Sequence, residues 1–519
     1  MKTSRLWRVL AWCVALLAMG LALYRANAQP IAHDEALQFE WFLDGSVQHV
    51  LQYNQANHIL FALMAKPIVW GLGVSELKLR APSLLGTAVY LLAAYLLCRR
   101  LFGEGILLFF SVALLCLNPQ ILEFMPAARG YILGLAGLMM AMYAMAVLVE
   151  LGEFDPENRR WKWGCRLASV ALALSVAANV TNVVPAAFLV LTFSAVAMGG
   201  FRRLLKFSDR KLQSLGKYLL APGAAVGFCI LWPYVIQMRP ANFRVGLDTA
   251  FDCLRDVFTA SFLYRWTDDL YSSSLGAAAP AAGSWQERVT AVGIFVLIPL
   301  LFCIVAAGVT LAWRGRDRLA RNGNAAFRVL GGSAVACTLM VFAVYAVART
   351  NYPNARYCLF FIPLYTVAAL LAWREIAARF PSRALPAAGA LLAGLVLADY
   401  ALSIQVKEFR YQAYDVISLK LYQAIADDAQ KQGLKSARVG GTWWYEPEIN
   451  FYRRKFKATW MADYDVVDKS YFWRSPNALA PPEYDYFVYI PASDPGLTGV
   501  RTVFHDELRQ LTVVAKVRR

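Results

Sequence analysis

The stretch LWRVLAWCVALLAMGLALY, residues 6–24, decides the fold class. It is apolar and long enough to cross about 30 Å of hydrocarbon as one helix. Comparable runs recur as far as residue 404, and the chain is 59% hydrophobic but only 17% charged. Such a composition excludes a set of soluble domains. The sequence therefore predicts a mainly α-helical, polytopic membrane protein.

About eleven transmembrane helices are predicted from the apolar runs. They cover residues 6–24, 83–98, 105–119, 131–149, 164–180, 183–200, 218–236, 289–312, 329–348, 357–373 and 385–404. A cleaved signal peptide is the alternative for the first run, because the chain has a basic start with Lys2, Arg5 and Arg8. The apolar part is long for a signal peptide, so an uncleaved span is favoured.

The basic residues indicate the orientation in the membrane. They cluster at the N-terminus and in alternate connections, which the positive-inside rule assigns to the cytoplasm. The N-terminus is therefore predicted to be cytoplasmic. The outer side is predicted to carry loops 25–82 and 237–288 and a soluble α/β domain over residues 405–519, with the transmembrane domain covering residues 1–404.

The net charge of +17 does not indicate a nucleic-acid partner, because the basic residues form short clusters between apolar runs and not one stripe. The nine cysteines are scattered, without a CxxC pair or regular spacing. Neither a disulfide framework nor a zinc site is predicted from them.

The segment IAHDEALQFEWFLDG, residues 31–45, directly follows the first span on the predicted outer side. It contains His33, Asp34 and Glu35 in succession. Adjacent carboxylates raise each other's pKa, which stability alone does not favour. The structural alternative is that Asp34 caps a helix and Glu35 is a first-turn acid favoured by the helix dipole.

Further motifs follow in order: QANHILFAL with Asn57 and His58, GLGVSELKLRAPSLLG at residues 71–86, and ARGY at residues 128–131. With the preceding Asp-Glu pair, this order resembles the membrane glycosyltransferases of GT-C fold, in particular the protein O-mannosyltransferase-like and aminoarabinose-transferase-like enzymes. The resemblance covers roughly the first 150 residues. One departure is that many relatives have a Pro-Pro-Leu segment where this chain has Asn57-His58-Ile59-Leu60.

The resemblance implies a transmembrane catalytic domain that transfers a hexosyl or pentosyl group, with inversion. The donor would be a polyprenyl-phosphate sugar, the acceptor a lipid, glycan or protein, and the location the outer face of the bacterial inner membrane. A carboxylate can take the proton of the acceptor hydroxyl, and Asp34 is the candidate general base. Glu35 is the second catalytic candidate, to orient the acceptor or hold a cation. His33, Asn57 and Tyr131 are candidates for acceptor or sugar binding.

The departing polyprenyl phosphate gains negative charge, which cationic groups at headgroup level would stabilise. The candidates for binding it are Arg129, Arg356, Lys66 and His58. Arg129, Arg349 and Arg356 lie in predicted outer turns, against the positive-inside bias. The alternative for each arginine is that it merely extends from the hydrocarbon to the interface.

A divalent cation is possible but no cofactor is firmly implied. His58 with His33, Asp34 and Glu35 supplies suitable ligand types, yet no spacing among them demands a metal ion. The metal assignment is therefore left open.

Two aromatic stretches on the outer side could serve recognition. Trp266, Asp268 and Asp269 in the second loop suit a sugar or acceptor, with an interfacial amphipathic helix as the alternative. The tail segment TWWYEPEINFYRR, residues 442–454, suits carbohydrate stacking, with a buried aromatic core as the commoner use.

The rival functions are a lipid or polysaccharide transporter and a non-catalytic subunit of envelope glycan assembly. A transporter typically has related halves and helices broken near the midplane of the membrane. Neither is detected in the sequence, and the acidic residues cluster at the outer surface.

Overall fold

The computed structural model describes most of the chain. The described residues are 2–54, 56–152, 154–204, 209–237, 247–262, 285–314, 321–348, 351–379, 384–404, 406, 416–466, 484–489, 499–507 and 511–517. Helices dominate, and a small sheet is built from residues near the C-terminus. The predicted fold class is confirmed.

The α-helices occur along the whole described chain. They are α1 (Lys2–Ala28), α2 (His33–Gln38), α3 (Val47–Val50), α4 (Ile59–Leu72), α5 (Glu76–Phe102), α6 (Ile106–Cys116), α7 (Pro119–Phe124), α8 (Tyr131–Glu150), α9 (Arg159–Ala178), α10 (Val183–Ala197), α11 (Phe201–Leu204), α12 (Arg210–Leu215), α13 (Ala221–Val235), α14 (Ala250–Phe262), α15 (Trp285–Val292), α16 (Ile298–Arg314), α17 (Arg321–Ala348), α18 (Phe361–Arg379), α19 (Ala384–Ser403), α20 (Ser418–Lys431) and α21 (Glu446–Lys455). π-Helical turns at Phe39–Leu43, Gly216–Leu220 and Gly293–Leu297 and 3₁₀ turns at Val180–Asn182, Ala355–Cys358 and Trp443–Tyr445 supplement them.

Within the described ranges, nine helical segments are long and apolar enough to cross a bilayer. The chain is therefore that of a multi-pass membrane protein. Two of the eleven spans predicted from the sequence are not among these nine segments. Residues 105–119 form only the 11-residue helix α6, and residues 164–180 fall in α9, whose first turns carry Arg159, Arg160, Lys162 and Arg166.

By its internal contacts the chain divides into two compact units. The first, called the helical unit, comprises Met1–Tyr24, His58–Phe61 and Pro82–Ile404. The second, called the sheet unit, comprises Arg25–Asn57, Ala62–Ala81 and Gln405–Arg519. The sheet unit thus groups the tail with most of residues 25–82, which the sequence did not predict.

Small residues let the central helices of the helical unit pack closely. Helix α9 packs on α8 where Ser175 donates a hydrogen bond from its hydroxyl to the Gly134 carbonyl at 2.6 Å. Asn182 in turn donates to the Ser175 hydroxyl at 3.0 Å. Small side chains and interhelical hydrogen bonds are the usual means of packing helices in lipid, where apolar burial provides little driving force.

The sheet unit contains a five-stranded mixed sheet in the order β2-β1-β3-β5-β4. The strands are β1 (Val439–Gly441), β2 (Asp465–Val466), β3 (Tyr486–Tyr489), β4 (Val500–Asp506) and β5 (Leu511–Lys516). Strand β1 pairs parallel with β2 and β3, and β5 pairs antiparallel with β3 and β4. These strands, with α20 and α21, confirm the α/β class predicted for the tail.

Candidate active site

The acidic motif forms the start of helix α2. Ala32 occupies the N-cap position, with φ −90° and ψ 153°. The alternative that Asp34 caps the helix is therefore wrong, because Asp34 and Glu35 both lie in the first helical turn. A carboxyl oxygen of Glu35 accepts the Ala32 N–H at 3.0 Å. This bond satisfies one of the amide groups that a helix start leaves without an intrahelical partner.

Glu35 forms a two-point ion pair with Arg80. The guanidinium Nε lies 2.9 Å from one carboxyl oxygen, and Nη2 lies 2.5 Å from the other. Both side chains are buried, with 0% of Arg80 and 1% of Glu35 exposed. Helical spacing suggests that Arg80 pairs with Glu76, but Arg80 pairs with Glu35 instead. A carboxyl oxygen of Glu76 accepts a hydrogen bond from the Lys455 ammonium at 2.7 Å.

Arg80 also fixes the chain that leads into the acidic turn. Its Nη1 donates to the carbonyls of Ala26 at 3.1 Å and Gln29 at 2.8 Å, and its Nη2 donates to that of Pro30 at 2.7 Å. These are the last turn of α1 and the connection after it. A single buried guanidinium therefore sets the direction in which the chain enters α2.

His33 anchors the same turn to the tail. Its Nδ1 lies 2.9 Å from the Trp444 carbonyl and 3.1 Å from a Glu448 carboxyl oxygen, and it donates to one of them. Burial alone would lower the pKa of His33, but the charges of Glu448 and Asp34 and the bonds to the ring outweigh it and raise the pKa. His33 is buried, whereas Asp34 is partly exposed.

Three glutamates lie near His33 and were not predicted as site residues. Glu40 follows α2, and Glu446 and Glu448 start α21. Burial raises the pKa of Glu40, and burial with the charge of Glu40 raises that of Glu446 to about 7. One carboxyl oxygen of Glu40 and one of Glu448 are buried without a hydrogen-bond partner among the described residues. The only sequence signal was the closely spaced acid pair in YEPEIN.

Asn57 holds the backbone of the loop between α3 and α4. Its amide donates to the carbonyls of Val50 at 2.9 Å and Gln52 at 2.8 Å. Its carbonyl oxygen accepts from Gln38 at 3.5 Å. The side chain is buried, so its described bonds stabilise the loop conformation.

Lys66 is also engaged with the backbone, in the segment before α3. It is buried in α4, and its ammonium donates to the carbonyls of Leu43, at 2.5 Å, and Gly45. The same ammonium lies 4.6 Å from the centre of the Trp70 ring. These contacts close the end of the π-helical turn Phe39–Leu43, which precedes the loop to α3.

Three predicted residues come together at the start of α8 and form the Tyr131 cluster, defined by His58, Arg129 and Tyr131. The His58 ring lies edge-on to Tyr131 with centroids 4.7 Å apart, and its Nδ1 is 2.8 Å from the Ala178 carbonyl. The Arg129 guanidinium carbon lies 5.9 Å from the Tyr131 ring centre. All three side chains are buried.

Gly130 makes this close packing possible. A methyl group at this position would overlap the Ala178 carbonyl oxygen and would crowd the His58 side chain. The N-cap of α8 is Gly130 itself, which has no side chain with which to cap the helix. The three predicted residues therefore lie around the N-terminus of α8.

Arg356 lies on the 3₁₀ turn Ala355–Cys358, with its guanidinium carbon 5.3 Å from the Tyr357 ring centre. This turn packs against α14. Arg349, Trp266, Asp268 and Asp269 lie outside the described residues.

A metal site was left open by the sequence. In the parts of the chain that the structure describes, no group of three or more histidines, cysteines, aspartates or glutamates is arranged to hold a metal ion. His33 and His58 instead have hydrogen-bond partners within their own units.

Comparison with known proteins gives similarity at the level of structure. No family model matches the chain, and no curated protein does. A solved structure similar to it is ArnT from Cupriavidus metallidurans bound to undecaprenyl phosphate, with 15% identity, a TM-score of 0.47 and 98% of each chain covered.

Two structures of an Archaeoglobus fulgidus oligosaccharyltransferase are also similar. The apo form is 13% identical, with a TM-score of 0.48, over 92% of this chain and 69% of that one. AglB from the same organism, in complex with an inhibitory peptide and a dolichol-phosphate, is 14% identical, with a TM-score of 0.44 and the same coverage. The neighbours are thus an ArnT and an oligosaccharyltransferase.

Proposed function

We propose that this protein transfers a sugar from a polyprenyl-phosphate-linked donor to an acceptor at the outer face of the bacterial inner membrane, with inversion and with Asp34 as general base. The observation that supports this role is the difference in exposure within one helical turn. His33 and Glu35 are buried and engaged with Glu448 and Arg80, whereas Asp34 is partly exposed. A substrate can therefore approach the Asp34 carboxylate while its two neighbours hold the turn.

In the proposed step, the Asp34 carboxylate removes the proton of an acceptor hydroxyl as the hydroxyl oxygen attacks the anomeric carbon of the donor sugar. The bond from that carbon to the phosphate oxygen breaks, and its electron pair leaves with the polyprenyl phosphate. Attack from the face opposite the phosphate inverts the anomeric configuration. A correctly positioned carboxylate contributes about 10²- to 10⁴-fold to the rate of such a step.

The Tyr131 cluster supports a site for the donor phosphate. Arg129 brings a positive charge to the N-terminus of α8, where the helix dipole attracts anions. His58 adds a ring nitrogen against the same Tyr131 ring. In the proposed reaction these groups stabilise the charge that grows on the phosphate, and Tyr131 contacts the sugar.

The other predicted residues have narrower proposed roles. Arg356 and Lys66 are proposed as further donor ligands, and Lys66 would have to release the Leu43 carbonyl to reach a phosphate. His33 and Asn57 are proposed to contribute to the acceptor site, His33 chiefly by positioning Asp34. Glu35 is proposed to act on the acceptor only through the turn that it fixes with Arg80.

The test is Asp34→Asn in the full-length protein reconstituted into vesicles. The assay uses radiolabelled undecaprenyl-phosphate hexoses and pentoses, with envelope glycolipids as acceptors, and measures labelled product. The amide keeps the size of the side chain but cannot take the proton. We expect transfer to fall at least about 10²-fold while the thermal unfolding temperature stays unchanged.

Asp44→Asn is the matched control, because it makes the same chemical change ten residues along the same loop. Asp44 pairs with Arg454 at 2.9 Å, in a contact that is partly exposed. Its loss should leave transfer within about twofold of wild type, since such pairs contribute little free energy. Wild-type transfer by Asp34→Asn would remove Asp34 from the mechanism.

A further inference from the structure

Two consecutive tryptophans form one aromatic surface at the end of strand β1. The rings of Trp443 and Trp444 stack with centroids 4.3 Å apart and an interplanar angle of 26°. Both are only partly buried, whereas Tyr445 behind them is 3% exposed. Tryptophans that only filled a core would be enclosed, whereas part of each indole is exposed here.

The backbone before the pair is fixed in a conformation that only glycine adopts readily. Gly441 has φ +147°, and a methyl group there would overlap the Val488 carbonyl oxygen. The next amide, that of Thr442, donates to the same Val488 carbonyl at 2.9 Å. The aromatic surface therefore stands on a rigid strand end.

The tryptophan pair is joined to the turn that carries Asp34. The His33 ring meets Trp443 edge-on, at 5.6 Å between centroids and 76° between planes. The His33 Nδ1 lies 2.9 Å from the Trp444 carbonyl. Because Asp34 is the next residue in the same helical turn, a ligand on the tryptophans would lie close to the proposed base.

Carboxyl groups follow this aromatic surface in the chain. Glu446, two residues after Trp444, is partly exposed, and Glu40 and Glu448 act on it through their charges. One carboxyl oxygen of Glu40 and one of Glu448 are buried without a hydrogen-bond partner among the described residues. Glu448 is 0% exposed, and its other oxygen faces His33 at 3.1 Å. The tryptophan pair is thus followed by a carboxyl group that can accept hydrogen bonds.

We infer that Trp443 and Trp444, with the carboxyl groups of Glu40 and Glu446, form a subsite that binds a saccharide, and that the acceptor of the proposed transfer is therefore a glycan. A pyranose presents apolar C–H faces that pack on indole rings and hydroxyl groups that donate to carboxyl oxygens. This inference rests on the proposed function, since it names the class of acceptor for that reaction. A pKa near 7 lets Glu446 both donate and accept at neutral pH.

The test measures saccharide binding, separately from sugar transfer. Full-length protein in lipid nanodiscs is labelled and applied to an array of defined bacterial surface oligosaccharides, and the dissociation constant of the best ligand is measured by thermophoresis. We expect a bound glycan, binding at least 10-fold weaker for Trp443→Ala and Trp444→Ala, and near wild-type binding for Trp443→Phe, which keeps an aromatic face. Binding that is 10-fold weaker corresponds to a loss of about 1.4 kcal/mol of binding free energy.

Trp232→Ala is the matched control, because Trp232 is 50% exposed and stacks on Phe228 at 5.0 Å elsewhere in the chain. It should bind the glycan as the wild type does. Failure of the proposed base is measured as sugar transfer by Asp34→Asn, and failure of the saccharide site as glycan binding by Trp443→Ala, so the two give different results. If no glycan binds above background, if Trp443→Ala binds as tightly as wild type, or if a serine- or threonine-bearing peptide array is bound instead, the inference is overturned.

Discussion

Replacing either Glu35 or Arg80, which form a buried ion pair, should destabilise the protein strongly. Replacing both should cost less than the sum of the two single losses. Both side chains are almost fully buried and share two short hydrogen bonds. Removing one partner of such a pair leaves an uncompensated buried charge and lowers the free energy of unfolding by about 4 kcal/mol. We therefore expect about this loss for Glu35→Gln and for Arg80→Met separately.

The double variant carries neither charge, so it should be more stable than the sum of the two losses predicts. We expect a coupling energy of about 3 kcal/mol. The remaining loss reflects the carbonyls of Ala26, Gln29 and Pro30, which no longer have the guanidinium as a donor. The free energy of unfolding is measured by denaturant titration in detergent, followed by tryptophan fluorescence.

Arg8 and Glu104 provide the exposed control, since their ion pair is 3.4 Å long and 39% and 31% of the side chains are exposed. The same double-mutant cycle there should give a coupling energy below about 1 kcal/mol. If the double variant loses as much free energy of unfolding as the Glu35 and Arg80 single variants lose together, the buried ion pair is refuted. Loss of sugar transfer by Glu35→Gln at unchanged stability would instead give Glu35 a direct role in catalysis.

Two further predictions concern single positions. Gly130→Ala should lower the free energy of unfolding by about 1–3 kcal/mol and raise the KM for the donor, because the added methyl group meets the Ala178 carbonyl. Gly20→Ala is the control, since Gly20 has open space around it. Equal losses of unfolding free energy in the two variants would contradict the packing around Gly130. The pKa of Glu446 rises from 4.5 to about 7 on folding, so the folded state binds this proton more tightly and stability should fall as pH rises between about 4.5 and 7. Glu446→Gln should flatten that part of a thermal unfolding profile, and an unchanged slope would exclude Glu446 as its source.

The sequence predicted the class of the fold well, because lipid allows few solutions. Long apolar runs must form helices in a bilayer to satisfy their backbone hydrogen bonds. It failed to predict the length of α6, because Asn118-Pro119 ends that helix after Cys116 and Pro119 starts a new one with Asn118 as its cap. The mean hydropathy of an apolar run does not reveal such a break between two helices.

The site was predicted only in part, because its partners lie far apart in the chain. Spacing along a helix suggested Glu76 as the partner of Arg80, since residues four apart face each other. The structure pairs Arg80 with Glu35, 45 positions away, and His33 with Glu448, 415 positions away. No local pattern contains these separations. The motifs of the sequence therefore indicated the acidic segment as a candidate, and only the fold could identify its anchors.

The three residues of the acidic motif have different environments because of helical geometry. Successive side chains on a helix are about 100° apart, so His33 and Glu35 project to nearly opposite sides while Asp34 lies between them. One side meets Glu448 and Trp444 of the tail, and the other meets Arg80. Any change that moves the start of α21 therefore reaches Asp34 through His33. In the proposed enzyme, a glycan seated beside His33 would adjust the base on which its own reaction depends.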